Sequence, residues 1–250
     1  MYSSLIVATF ITLFTYYCSS SPILPSSITP CKGTDPNLNE CAKKEANKFL
    51  PVLVKGLPEF RVPVLDPLVI PEIKVKSNGN QLNIFLKNAN VTGLGTAFVE
   101  HFNFDLKGHK IHATLSIPHL NIQGDYKMNG RILVIPVRGK GPANMAISDT
   151  LFNVDVEYSV YKNEDVEYIK IDKFDISFEI GNAVMRFENL FNDDKELSEN
   201  ANNLINKEWR QVLKQITPEI SETISEIGIQ IADGVAQKIS YAEMFGGELP

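Results

Sequence analysis

Residues 193–239 read DDKELSENANNLINKEWRQVLKQITPEISETISEIGIQIADGVAQKI, and this stretch decides the fold. Apolar side chains recur at Leu197, Ala201, Leu204, Val212, Ile216, Ile220, Ile224, Ile227, Ile231, Val235 and Ile239, with Glu208 and Trp209 filling the step between. Steps of three and four put all of these except Glu208 on one stripe of an α-helix. Asn192, Asp193 and Asp194 offer N-caps, and Glu196 supplies negative charge in the first turn, where the helix dipole favours it. Pro218 removes one backbone N–H, yet Ile216, Ile220 and Ile224 keep phase across it, so the spacing predicts a kink there and no stop. Such a helix would be about 65–70 Å long at ~1.5 Å per residue. An element of that length needs something to cover its apolar stripe.

The cover lies upstream, where the period falls from 3.6 to 2 between Val62 and Phe187. Leu120, Ile122, Gly124 and Tyr126 alternate with polar neighbours, as do Val154, Val156, Tyr158 and Val160, and Phe174, Ile176, Phe178 and Ile180. Alternation of this kind predicts antiparallel strands with one wet and one dry face. Asn78-Gly79, Gly108, Asn129-Gly130 and Lys162–Asp165 separate the runs as turns. Strands this long must curve to hide their dry side. The expected fold is therefore α+β: a long C-terminal helix wrapped by a strongly curved antiparallel sheet, preceded by an N-terminal helix. That first helix starts after Asp35-Pro36, carries Leu38, Ala42, Phe49 and Leu53, and ends near Gly56. Large inward aromatics, among them Phe102, Phe104, Tyr126, Tyr158, Phe174, Phe178 and Phe187, make an elongated apolar cavity one way of packing the interior. Alternation is equally compatible with a filled core.

At the N-terminus, an apolar run from Leu5 to Phe14 followed by Cys18-Ser19-Ser20-Ser21 predicts a secretory signal peptide over 1–20, with one domain over 21–250. The run is short for the ~20 residues of a bilayer span. Removing it leaves Cys31 and Cys41, which in a secreted protein predicts one disulfide. The net charge of −6 argues against a nucleic-acid partner and removes any simple electrostatic pull toward anionic lipid.

Several stretches together resemble the takeout and juvenile-hormone-binding family of secreted insect proteins. They are Cys31-Lys-Gly-Thr-Asp-Pro-Asn-Leu-Asn-Glu-Cys41, Leu65-Asp-Pro-Leu68 leading to Ile70-Pro-Glu-Ile73, and Asn90-Val-Thr-Gly-Leu94. Gly124-Asp-Tyr-Lys-Met-Asn-Gly130 running into Arg131-Ile-Leu-Val-Ile-Pro136, and Leu190-Phe-Asn-Asp-Asp-Lys195 with Trp209-Arg210 beyond, extend the likeness over nearly the whole chain. The resemblance implies a single unit of the fold seen in tubular lipid-binding proteins. It also implies a carrier role, with a juvenile-hormone-like terpenoid or fatty-acid-like lipid held in an interior tunnel. No cysteine follows Cys41, so the second disulfide of the moth haemolymph carriers is absent. The chain is thus more similar to the takeout branch, whose roles touch feeding, circadian output and chemosensory tissue.

Assigned by face, the candidate ligand-binding side chains are Phe49, Leu50 and Leu53 at one mouth, with Tyr126, Val134, Val156, Tyr158, Phe178, Leu204, Trp209 and Val212 along the lining. Tyr126, Tyr158 and Trp209 would each bring one polar hydrogen. Plain core packing is the competing role for all three. Asn90-Val91-Thr92 is an N-glycosylation acceptor sequence that needs an exposed asparagine. His101, His109, His112 and His119 have no mature cysteine beside them and no spacing that selects a metal. No Gly-x-Ser-x-Gly elbow, dinucleotide loop or phosphate loop is present, so no enzyme activity, catalytic residue, metal or cofactor is expected. The expected protein is an extracellular monomer that binds a hydrophobic small molecule without stable insertion in a membrane. The alternative is an extracellular interaction protein that engages a receptor through its surface.

Overall fold

The computed structural model of the chain describes residues 28–76, 82–192, 194–247 and 249. The expected signal peptide and the Asn78-Gly79 turn lie outside the described residues. In chain order come α1 (Leu38–Leu53), a 3₁₀ turn at Pro58–Phe60, β1 (Leu68–Lys76), β2 (Leu82–Thr92), β3 (Phe98–Asp105), β4 (Lys110–Ile132), β5 (Ile135–Asn163) and β6 (Val166–Phe187). Three helices follow: α2 (Lys195–Lys207), α3 (Trp209–Ala236) and α4 (Tyr241–Met244). All strand pairs are antiparallel, in the order β1-β2-β4-β5-β6. β3 borders the first half of β4 where β2 borders the second.

β5 is 29 residues long and would span about 95 Å if straight, at ~3.3 Å per residue. It coils instead. Register shifts in β2 between Lys87 and Asn90, in β3 between Val99 and His101, and at Glu157/Tyr158 of β5 add local twist and bend the sheet. α3 packs along β6 and also reaches β1, the two ends of the strand order, and so lies across the open side of the curled sheet.

Two boundaries differ from the sequence expectation. The Asn129-Gly130 pair lies inside β4, and the chain reverses at Leu133-Val134, with Leu133 at φ 54°. The long helix breaks at Glu208 (φ −108°, ψ 26°) and runs on through Pro218. The inward face of α2 is Ser198, Ala201, Asn202 and Ile205, and steps of four and three carry the same face across Glu208 to Trp209 and Val212 of α3, so the interruption leaves the phase unchanged. At Pro218 the only loss is one N–H, and the Thr217 hydroxyl donates to the Leu213 carbonyl at 2.8 Å beside it.

The helices also seal sheet edges with asparagines. Asn202 accepts from the Phe187 N–H and donates to its carbonyl, both at 2.9 Å, while Asn206 does the same for Met185 at 2.7 and 2.8 Å. On α1, Asn47 holds Val99 of β3 at 2.8 and 3.0 Å, and Asn39 accepts from the Phe104 N–H at 2.8 Å. A side-chain amide carries the same donor and acceptor as a peptide unit, so each stands in for a missing strand. The Cys31–Cys41 disulfide ties the leading loop to α1.

Candidate functional site

Both ends of α3 sit in solid core. At its start, Trp209 and Val212 join Leu82, Leu86, Tyr126, Met128, Val137, Met185, Phe187 and Leu190. At its far end, Ala236 packs with Tyr158, Ile169, Tyr241 and Phe245 beside the disulfide. Ile239 closes a third cluster with Leu57, Phe60 and Val62, against which Phe49, Leu53, Ile231 and Val235 pack.

The middle of α3 differs. Ile220, Ile224 and Ile227 join none of these clusters, and no residue from Leu213 to Asp233 is buried. The sheet opposite presents three aligned rows: Ile111, Val156 and Phe174; Ala113, Val154 and Ile176; Leu115, Phe152 and Phe178. Most of these side chains are only half-buried too. Apolar side chains on facing elements, flanked by packed ends, thus stay partly accessible along the central band, although the Phe174 ring comes close to Gly228 of α3. The next row brings Thr150 between Ile117 and Ile180. Thr150 is 2% exposed, and its hydroxyl has no hydrogen-bond partner. A cleft of about 670 Å³ opens between β6 and the first half of α3, lined by Phe178, Ile180, Trp209 and Leu213, with Arg210, Lys214 and Glu179 also on its walls.

Among the sequence-assigned candidates, Val156 and Phe178 fall in the central rows. Trp209 and Val212 are in the first cluster, with Trp209 also on the cleft and the Arg210 guanidinium 4.3 Å above its ring. Tyr126 is in the same cluster, and its hydroxyl donates to the Glu188 carbonyl at 2.5 Å. Burial, with the nearby Glu188 charge, pushes its pKa up to about 12. Tyr158 is 3% exposed, lies 3.4 Å from the Tyr241 hydroxyl and stacks on His109; burial, then the Tyr241 bond, raises its pKa. Both tyrosines thus serve end clusters with their hydroxyls already engaged. Phe49 and Leu53 pack at the third cluster, whereas Leu50 joins none of the three.

Val134 and Leu204 depart from the expected lining. Val134 is 81% exposed at the β4–β5 reversal, because the turn comes four residues later than Asn129-Gly130 promised. Leu204 is off the inward face of α2, because that face is centred on Ser198, Asn202 and Ile205, one position round from Leu197 and Leu204. Leu115, Phe152, Val154, Phe174, Ile176 and the three α3 isoleucines of the band were absent from the candidate list. Their signal was the same alternation and stripe that predicted the elements, with nothing to separate half-buried from buried positions.

Asn90 sits in β2 between Val69 and Gln123, with its Oδ1 buried and unpaired, so the glycosylation acceptor is in an internal strand and not on an exposed loop. His112 Nδ1 lies 2.8 Å from Asp155 Oδ1, a surface pair. Among the described residues no three His, Cys, Asp or Glu side chains gather to hold a metal, and no helix is long and apolar enough to cross a membrane.

Comparison with known proteins gives this geometry a context. The Drosophila melanogaster protein named circadian clock-controlled protein daywake is 26% identical over 234 residues, covering 90% of this chain and 89% of that one. A Schistocerca gregaria protein provisionally named for β-carotene binding is 20% identical over 220 residues, covering 87% of each. The crystal structure of Epiphyas postvittana Takeout 1 superposes with a TM-score of 0.79 at 26% identity, covering 87% of this chain and 99% of that one. The family model described as haemolymph juvenile hormone binding protein matches residues 5–246. The chain belongs to that family, takeout proteins among its relatives.

Proposed function

We propose that the chain is a secreted carrier that holds an elongated apolar small molecule in a tunnel along the central third of α3. The observation that carries this reading is the half-buried apolar band around Ile220, Ile224 and Ile227 between two buried ends. A chain of ligand carbon lying there would supply the missing contacts, at ~25 cal/mol per Å² of apolar surface removed from water. Thr150 would orient the guest, since its buried hydroxyl gains a partner only when a polar ligand atom reaches it. The cleft lined by Phe178 and Trp209 would be the lateral entrance. The family description and the name of the Schistocerca relative support a hydrophobic ligand, which the proposal takes to be a terpenoid or fatty-acid-like lipid. Recognition by burial needs no catalytic step, and the protein acts as a binder and not as an enzyme.

The test is native mass spectrometry of the purified protein, together with uptake of farnesoid and fatty-acid probes by the wild type, Ile224→Trp and Thr150→Val. A hollow interior takes the indole with little loss of stability and gives up the probe. A filled one loses about 1–3 kcal/mol to overpacking. Thr150→Val should stabilise the empty protein and weaken probes that carry an oxygen while sparing pure hydrocarbons. Absence of any co-purifying lipid, with no probe uptake, would refute the carrier reading.

A further inference from the structure

The outer face of the sheet at its β4–β5 hairpin end has the opposite sign to the chain. Lys74 of β1 stands level with Phe85 of β2, Lys127 of β4 and Lys140 of β5. Two residues nearer the tip, Lys76, Asn83, Asn129 and Arg138 form the next row, and Arg131 then faces Pro136. The alternate positions Val75, Leu82, Met128, Ile132 and Val137 are buried core, which forces these six cations outward, and all six are exposed. No carboxylate occupies an outward position in these rows. The neighbouring acids, Glu72 and Asp125, are one row back with Lys87 between them, and Glu72 lies 3.2 Å from Lys74. A chain of net charge −6 has thus gathered six cations on one end of one face. At the tip beyond them stands Val134, 81% exposed, an apolar side chain offered to solvent by a two-residue reversal.

We propose that this end docks on an anionic phospholipid bilayer. The cations meet phosphate and carboxylate headgroups, and Val134 dips into the interfacial layer beneath them. The charge complementarity is local, so the negative total does not oppose it: potentials from the remaining carboxylates are screened beyond about 8–10 Å at physiological salt. A soluble polyanion would engage the lysines and arginines equally well but would have no use for an exposed valine at the apex, which favours the membrane. The surface is on the outside of the sheet and stands whether or not the interior carries a ligand.

The experiment is co-sedimentation of the disulfide-intact protein with vesicles of phosphatidylcholine alone and with about 30 mol % phosphatidylserine, the lipid class that sets the negative surface potential of natural leaflets. Expected is binding to the anionic vesicles only, lost as salt is raised toward about 1 M, where the Debye length is ~3 Å. Lys127→Glu/Arg138→Glu/Lys140→Glu should weaken partitioning by about tenfold or more. Val134→Asp should weaken it several-fold with all cations kept. Circular dichroism and thermal melts establish that both variants are folded; should the triple variant misfold, the exposed single change Arg138→Glu replaces it. Equal binding to uncharged vesicles, no binding to charged ones, or variants that bind like wild type would overturn the proposal. Heparin binding that Val134→Asp leaves intact, without vesicle binding, would reassign the patch to a soluble polyanion and overturn it as well.

Discussion

Replacing Asn202 by alanine tests whether side-chain amides close the edge of the sheet. Asn202 is 2% exposed, and its amide makes three bonds: two at 2.9 Å with the N–H and carbonyl of Phe187, and one at 3.0 Å to the Ser198 carbonyl. Alanine leaves both Phe187 backbone groups unpaired in a residue that is itself 7% exposed. An orphaned buried donor or acceptor costs about 1–3 kcal/mol. Two of them, less the roughly 0.5 kcal/mol that alanine gains over asparagine in helix propensity, give a net loss of about 2–5 kcal/mol. For a chain of this size that is a drop in Tm of about 5–15 °C. Asn206→Ala, where the residue is half-buried and water can replace the lost partner, should cost about 1 kcal/mol. Asn203→Ala on the exposed side should be neutral or slightly stabilising. Urea denaturation followed by far-UV circular dichroism gives the three values, and hydrogen exchange at the Phe187 amide reports the bond itself. A loss below about 0.5 kcal/mol for Asn202→Ala, with Phe187 still protected, would refute the edge-sealing argument.

Two further predictions read the packed ends. Tyr126 has a folded pKa of about 12 against an ordinary 10, so the folded state holds its proton more tightly, and its contribution is intact below pH 10 and lost as pH climbs through 12. Tyr126→Phe should cost about 1 kcal/mol at pH 8 through loss of the bond to Glu188, and should flatten the fall in stability above pH 10; equal wild-type and mutant slopes in pH-resolved denaturation would contradict this. At Gly234, a Cβ would lie 2.2 Å from the Phe60 carbonyl oxygen, so the ~1 kcal/mol that alanine gains in an open helix is overwhelmed and Gly234→Ala should destabilise by about 1–3 kcal/mol. Gly228→Ala meets only the movable Phe174 ring at 2.3 Å and should cost less; thermal melts of the pair would fail the argument if the order were reversed.

Period was the legible part of this chain. The alternation at Val154–Val160 and Phe174–Ile180 gave the strands, and the α3 stripe gave the helix, because burial on one side of a regular element must repeat with its geometry. Turn chemistry misled where a stronger local signal lay inside a strand: Asn129-Gly130 looks like a hairpin reversal, but pairing of Ile132 with Ile135 places the turn at Leu133-Val134. That error carried Val134 from the tip into the expected interior. Proline was legible: the helix runs on through Pro218, as the phase of Ile216, Ile220 and Ile224 required, whereas the interruption at Glu208 carried no signal in the sequence. The asparagine seals were illegible for a different reason. Asn202 and Asn206 read as polar residues on a helix, and only the neighbouring edge of β6 makes them inward-facing strand mimics.

The candidate site shows how far such averages reach. Net charge is a sum over the chain, and −6 is silent about where its positive terms sit; the cross-strand register gathers Lys74, Lys76, Lys127, Arg131, Arg138 and Lys140 on one face. Hydrophobicity has the same blindness for the interior. Val212 and Ile224 satisfy one stripe with the same period, yet Val212 is 4% exposed among packed neighbours and Ile224 belongs to no cluster. What distinguishes them is the part of the curled sheet each meets, the buried side chains of β2, β4 and β6 around Val212 and the half-buried rows of β4, β5 and β6 along the middle of α3. A position that looks like core by pattern but joins no buried cluster in space is where, on the proposed reading, a guest molecule would complete the packing, and this is why the central isoleucines of α3, and not its better-buried ends, carry that proposal.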